Sequence, residues 1–218
     1  MFLALSCISL SQARGEDITL QCRFYTNDDG EYICQAEGLR VFRSNSRISE
    51  VTGRHMPGKT NFDVTSFFIA YQETKYLPTG FMSFFPNLRS FFVNSSGLKY
   101  FTRQDMQDAT NLRKIFINYN DVEELTSDTF AGFNKLETFE MHDNKLRVIG
   151  AGIFDSMPNL KFVNFRKNNC INKYYPRDMG FDEMKQEIRQ KCAGGRNFIR
   201  KTNKDTDYSS GSGSAGKW

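Results

Sequence analysis

A 24-residue spacing constrains this chain more than any other feature. Apolar residues Val64, Leu88, Leu112, Leu136 and Leu160 each open a unit, and nothing is inserted between them. The third unit reads LRKIFINYNDVEELTSDTFAGFNK and the fourth LETFEMHDNKLRVIGAGIFDSMPN. Both fit L-x-x-L-x-L-x-x-N-x-L-x-x-L, with a Phe five residues on and a further apolar residue three after that. In the third unit Leu112, Ile115 and Ile117 point inward from a short strand, while Arg113, Lys114, Phe116 and Asn118 face out. Val122, Leu125, Phe130 and Phe133 bring the returning arc back over the same core. One such unit cannot bury its own apolar face, whereas stacked copies can, so the period predicts a solenoid with capped ends. Asn120, Asn144 and Asn168 fall where strand turns into arc and can bond backbone groups otherwise unpaired inside. Gln72 and Ser96 stand at that position in the first two units, so less regular turns are expected there.

The unit resembles the extracellular, roughly 24-residue class of leucine-rich repeats, over residues 64 to about 171. The resemblance implies an α/β solenoid: a horseshoe of about five 24-residue repeats, a parallel sheet on the concave face, and disulfide-bonded N- and C-terminal caps. It also makes sense of an odd composition, 21 Phe against 1 Trp, because Phe67, Phe91, Phe101, Phe130, Phe133, Phe139, Phe154 and Phe165 occupy core positions.

The flanks read as follows. Residues 1–13 are apolar, too short to span a bilayer, and end in small residues, as a secretory signal peptide does without its basic start. Cys7 leaves with that segment, and Cys22, Cys34, Cys170 and Cys192 remain, an even number that reads as disulfides. Pairing Cys22 with Cys34 and Cys170 with Cys192 is one of three connectivities, and is preferred because each pair flanks one end of the array. Residues 14–63 form the N-terminal cysteine cap, opening with a hairpin around Asn27-Asp28-Asp29-Gly30. Residues 172–192 form the C-terminal cap, with a helix expected over Phe181 to Lys191. Residues 193–218 are a basic tail of linker composition that carries most of the net charge of +4. The body is thus nearly neutral, which argues against nucleic acid as a partner, and no segment is apolar enough for a membrane span.

Gly53-Arg54-His55-Met56-Pro57-Gly58-Lys59-Thr60 matches the nucleotide-binding pattern G-x-x-x-x-G-K-[ST]. The pattern holds phosphate only between a buried strand and a helix, and here Asn61 to Ile69 runs directly into the first repeat. The stretch also resembles short secreted leucine-rich-repeat proteins of insects, through Gly53, His55, Gly58, Lys59, Asn61, Asp63 and Val64. That resemblance implies a cap element, and extracellular recognition in insect defence or development.

Outward strand residues stack in columns. Phe68, Phe92, Phe116, Glu140 and Asn164 form the middle one; Ala70, Asn94, Asn118, His142 and Arg166 the next; Tyr71, Ser95, Tyr119, Asp143 and Lys167 the third. Three successive outward Phe residues are expected to bind a partner, since interfaces favour aromatic anchors with polar rims. The candidate partner-binding residues are Phe68, Phe92, Phe116, Asn118, Tyr119, Glu140 and His142, and the partner is an extracellular protein. Asn94-Ser95-Ser96 is an N-glycosylation acceptor on the same face; an occupied Asn94 would push the usable surface toward Phe116 and His142. His142 and Asp143, as neighbours in a strand, are expected to point apart and form no dyad. No nucleophile motif, metal cluster or cofactor signature appears, so a non-enzymatic secreted recognition module is expected. A self-associating structural component that forms a homodimer through the Phe face is the alternative, with a receptor fragment and P-loop nucleotide binding at 53–60 behind it.

Overall fold

The fold is described from a computed structural model covering residues 15–106 and 108–193; residues 1–13 with Cys7, where a signal peptide is expected, and the tail beyond Ala193 lie outside the described residues. The cap opens with β1 (Asp17–Thr26) and β2 (Tyr32–Glu37), an antiparallel hairpin closed by the Cys22–Cys34 disulfide. β3 (Arg40–Val41) and β4 (Arg47–Thr52) follow, β4 running parallel to β1. The repeats contribute β5 (Ser66–Ala70), β6 (Glu73–Thr74), β7 (Ser90–Asn94), β8 (Lys114–Phe116), β9 (Glu124–Leu125), β10 (Thr138–Glu140), β11 (Val148–Ile149) and β12 (Phe162–Asn164). β13 (Tyr174–Pro176) and the helix α1 (Arg177–Glu187) close the chain, the helix running into a π turn over Ile188–Cys192. The helix starts four residues earlier than the sequence suggested, immediately behind Pro176, whose fixed φ suits a helix start. None of the described helices is long and apolar enough to cross a membrane.

One nine-stranded sheet runs the length of the molecule, in the order β13, β12, β10, β8, β7, β5, β2, β1, β4. Its repeat strands are parallel and in strict 24-residue register, Phe67 opposite Phe91, Phe91 opposite Ile115, Ile115 opposite Phe139, and Phe139 opposite Val163. That register follows from the sequence period, since slipping by one residue would turn every apolar side chain outward. The core is continuous from Leu20 to Cys192 and rich in Phe: Phe67, Phe81, Phe85, Phe91, Phe130, Phe133, Phe139 and Phe165 are all fully buried. Replacing a ring such as Phe139 by Ala costs about 3–5 kcal/mol, lost transfer energy and a cavity together. The Cys170–Cys192 disulfide ties the last coil to the helical cap, with Met184 and Ile188 buried beneath.

The turns after the strands are more regular than the sequence suggested. Tyr71, Ser95, Tyr119, Asp143 and Lys167 all adopt left-handed φ, between 50° and 57°. Each would cost about 1–2 kcal/mol alone. The following side chain holds the turn in place. Asn120 Oδ1 accepts the Ser96 and Leu98 N–H groups (both 3.1 Å), and its amide donates to the Val93 carbonyl (2.7 Å). Asn144 and Asn168 repeat this one and two coils on, accepting from Val122 and Leu146 and donating to the carbonyls of Ile117 and Met141. Gln72 and Ser96 divide the same work: Gln72 Oε1 accepts the Leu39 N–H (2.7 Å), and Ser96 Oγ accepts the Gln72 N–H and bonds the Ile69 carbonyl.

Candidate functional site

The outward columns are displayed on one face by strand alternation. Phe68 and Phe92 stack at 3.9 Å between ring centroids and Phe92 and Phe116 at 4.6 Å, nearly parallel in both cases. All three rings are half-buried, so stacking covers part of their surface and the rest stays open to solvent. Hydrophobic burial alone does not require them there, because the core side of the same strands is already filled by Phe67, Phe91 and Ile115.

Beyond Phe116 the column changes chemistry. Glu140 accepts a hydrogen bond from Asn164 Nδ2 (3.2 Å) and lies 3.9 Å from His142 Nε2. His142 Nδ1 meets Asp143 Oδ2 at 2.8 Å, and Lys167 Nζ meets the other oxygen at 3.0 Å. The expectation that His142 and Asp143 point apart is therefore overturned: the left-handed turn at Asp143 ends strand alternation and swings its carboxylate back to the imidazole. Partial burial pushes the Asp143 pKa up, but the hydrogen bonds from His142 and Lys167 outweigh it and hold the carboxyl below its ordinary value. Tyr119, 54% exposed, sets its ring edge-on to His142 at 4.9 Å. The result is a fixed patch of Phe116, Tyr119, Glu140, His142 and Asp143. A catalytic reading would need a nucleophile beside the histidine, and its hydrogen-bonding neighbour is a carboxylate. Among the described residues, no group of three or more His, Cys, Asp or Glu is arranged to hold a metal.

Asn118 needs correction as a contact residue. It is only 7% exposed, and its Oδ1 accepts the His142 N–H (3.1 Å), just as Asn94 Oδ1 accepts the Asn118 N–H (3.1 Å). Asn118 supports the face from behind. Asn94 is half-buried in the same column; the bond to Asn118 occupies its oxygen and leaves the amide nitrogen as the position a glycan would take.

One feature of the face could not be read from the sequence. Glu31, in the hairpin turn of the cap, reaches across two strands: its carboxylate accepts the Ser90 hydroxyl (3.0 Å) and lies 3.6 Å from Lys114. It walls the upstream edge of the Phe column, where Ser66 and Ser90 are fully buried although they point outward. Residue type alone carries no signal for a contact between positions 59 and 83 apart in sequence.

The segment resembling a P-loop has a cap's geometry. A strand leads in, but only a three-residue turn, Asn61–Asp63, leads out. Thr60 and Asp63 form a reciprocal capping box, and Asp63 also accepts from Lys59 (3.3 Å), so the phosphate-binding side chains are already committed. His55 stacks on Phe24 at 3.8 Å and meets the Tyr32 hydroxyl at 3.0 Å. Gly53 is required by close approach: with φ of 130°, a Cβ there would lie 2.1 Å from the Cys22 carbonyl oxygen.

Residues 110–170 match the family model for the leucine rich repeat. Among curated proteins none matches the chain. Solved structures similar to it include the Toll–Spatzle complex, described as a molecular hub in Drosophila development and innate immunity, at 22% identity over 56% of this chain, with a TM-score of 0.47. A glycosylated form of that complex gives 25% identity over 49% of this chain and a TM-score of 0.46. The chain spans only 17% and 14% of the length of those two. With the register of its coils and the family match at its centre, the chain is a leucine-rich-repeat solenoid closed at both ends by disulfide-bonded caps.

Proposed function

We propose that this chain is a secreted, non-enzymatic recognition module that binds an extracellular protein through the outward face of its sheet. The observation that carries this reading is the Phe68–Phe92–Phe116 stack, half-exposed on a face whose strands already have a full core behind them. Interfaces join aromatic anchors to a polar rim, and the patch from Tyr119 through Glu140 and His142 supplies that rim. Its side chains hold one another in place, so little conformational freedom is lost on binding. Two disulfides suit an oxidising compartment. In this reading Asn94 carries a glycan beside Phe92, and the partner approaches over Phe116, Tyr119, Glu140 and His142. The resemblance of the Gly53-to-Val64 stretch to secreted insect proteins supports a setting in insect extracellular defence or development.

The test is capture from extracellular fluid by the glycosylated protein, beside a Phe92→Glu/Phe116→Glu variant with an unchanged circular dichroism spectrum. A protein retained by the native chain and lost by the variant is the expected result. Equal retention by both would assign the Phe stack to packing alone. Sedimentation of both forms covers self-association: a concentration-dependent dimer abolished by Phe92→Glu would make the face a homodimer interface instead.

A further inference from the structure

A second surface lies off the sheet, on the edge where the chain leaves its left-handed turns. The columns there read Lys75, Lys99, Glu123, Arg147 and, beside them, Tyr76, Tyr100, Glu124, Val148. In the later coils the charged column neutralises itself, since Glu123 pairs with Arg147. In the first two coils two lysines are neighbours, the Lys99 N–H donating to the Lys75 carbonyl at 3.1 Å. Like charges on adjacent strands are unfavourable. The nearby carboxylates are taken: Arg40 holds Glu73 at 2.8 Å, and Lys145 holds Asp121 at 2.6 Å. Lys75 is steadied by rings instead, its Nζ 5.4 Å from the centroid of Tyr76 and 5.9 Å from that of Tyr100.

The tyrosines are stacked 4.8 Å apart and nearly parallel, and Tyr100 keeps 47% of its surface exposed. Alongside runs an open groove of about 360 Å³, lined by Phe42, Gln72, Lys75, Gly97 and Lys99 among others. Phe42 is 55% exposed at its end, and Gly97 contributes no side chain to fill it. Flat aromatic surface, two ammonium groups without a carboxylate partner among the described residues, and a shallow open groove occur together on this edge. Tyr76 packs against the core, but core packing accounts for neither the exposed Tyr100 ring nor the adjacent lysines nor the groove.

We propose that this edge binds a sulfated polysaccharide. A pyranose ring offers an apolar C–H face to an aromatic ring while its sulfate groups project from the ring edge, matching a tyrosine flanked by lysines. Lys75 and Lys99 stand one coil apart, about the 4.8 Å of neighbouring strands, so both reach one or two adjacent sulfates. An acidic peptide would satisfy the lysines without using Tyr100, and that difference separates the two ligands. The site is independent of the sheet face and of whatever protein binds there.

The experiment is calorimetric titration of a heparin-derived hexasaccharide into the full chain, the Lys75→Ala/Lys99→Ala variant and Tyr100→Ala, with thermal melts as the folding control. Loss of two charge-assisted contacts is expected to weaken binding at least about tenfold, and loss of Tyr100 several-fold. A desulfated hexasaccharide is expected to give no heat. Should Tyr100→Ala unfold, Tyr100→Phe takes its place and is expected to bind as the native chain does. Unchanged affinity in the lysine variant would overturn the site and shift binding to the basic tail. A hexaglutamate peptide binding as tightly, indifferent to Tyr100, would overturn it in favour of an acidic peptide. Absence of binding by the native chain would overturn it outright.

Discussion

Replacing Asn120 tests whether the amide column or the apolar core holds the coils in register. Its side chain is 6% exposed and makes bonds at both ends. Asn120→Ala strands the N–H groups of Ser96 and Leu98 and deprives the Val93 carbonyl of its 2.7 Å partner, whereas the Asn118 carbonyl keeps the Ser95 N–H. At about 1–3 kcal/mol for each of the three buried groups left unpaired, the expected loss is about 3 kcal/mol or more, a large part of a domain's stability. Asn120→Leu restores the volume but bonds nothing, so it should be no better than Ala; that separates a hydrogen-bond effect from a cavity effect. Ser96→Ala, which removes an acceptor for one N–H and a bond to one carbonyl, leaves two groups unpaired instead of three and should cost about two-thirds as much. The assay is urea unfolding followed by far-ultraviolet circular dichroism, since the one tryptophan, Trp218, lies at the end of the tail. A cost for Asn120→Ala below about 1 kcal/mol, or equal to that of Ser96→Ala, would refute the reasoning and mean that water replaces the amide.

Four further outcomes are expected. Gly53→Ala forces a Cβ to 2.1 Å from the Cys22 carbonyl oxygen and should loosen the cap, lowering the melting temperature by several degrees. Lys59→Ala should leave the melting temperature unchanged, and the native chain should release no heat with ATP; a nucleotide site would reverse that pair of results. Cys170→Ser/Cys192→Ser opens a crosslink across 22 positions, worth about 3 kcal/mol, and should release hydrogen-exchange protection in the α1 cap while leaving β8 and β10 protected. Glu137 is held below its ordinary 4.5 by hydrogen bonds from Lys161 and then Arg113, against the opposing effect of burial. Its contribution is complete above 4.5 and disappears as pH falls through the lower folded value, so Lys161→Ala should flatten the loss of stability measured below that point.

The interior of this protein was legible because one rule covers it. A residue at a repeated inward position must be apolar, so Leu112, Ile115 and Phe139 announce both their burial and their register. The turns were only half legible. Asparagine at positions 120, 144 and 168 signals its bonds directly, but Gln72 and Ser96 do the same work with different reach, which a one-letter pattern scores as a departure. On the face, strand alternation correctly raised Phe68, Phe92 and Phe116 and then failed at Asp143, where φ turns positive and the period of two ends. It also gave Asn118 a surface role, because alternation assigns a side and is silent about hydrogen bonds between coils. Glu31 was out of reach for another reason: its partners belong to a different part of the chain, and only the fold brings the cap turn over them.

Stacking identical coils places every side chain beside its counterparts one coil away, and this separates the columns that stabilise the fold from those that do not. Where counterparts are complementary, a column is self-sufficient. Glu137 stands between Arg113 at 2.8 Å and Lys161 at 2.6 Å, and Asp121 beside Lys145 at 2.6 Å; such columns offer little to a partner because their charges are already matched. Two columns repeat one chemistry instead. Phe68, Phe92 and Phe116 repeat an apolar ring on a solvent face, and Lys75 and Lys99 repeat a positive charge on an edge. The first leaves apolar surface open to water and the second leaves like charges adjacent; stacking of the rings and the seat of Lys75 over Tyr76 and Tyr100 relieve these costs only in part. Both would be relieved by a ligand, an apolar protein surface in one case and an anion in the other. In a solenoid, a column whose members do not satisfy one another is therefore the place to look for binding, and complementary columns serve as the internal control.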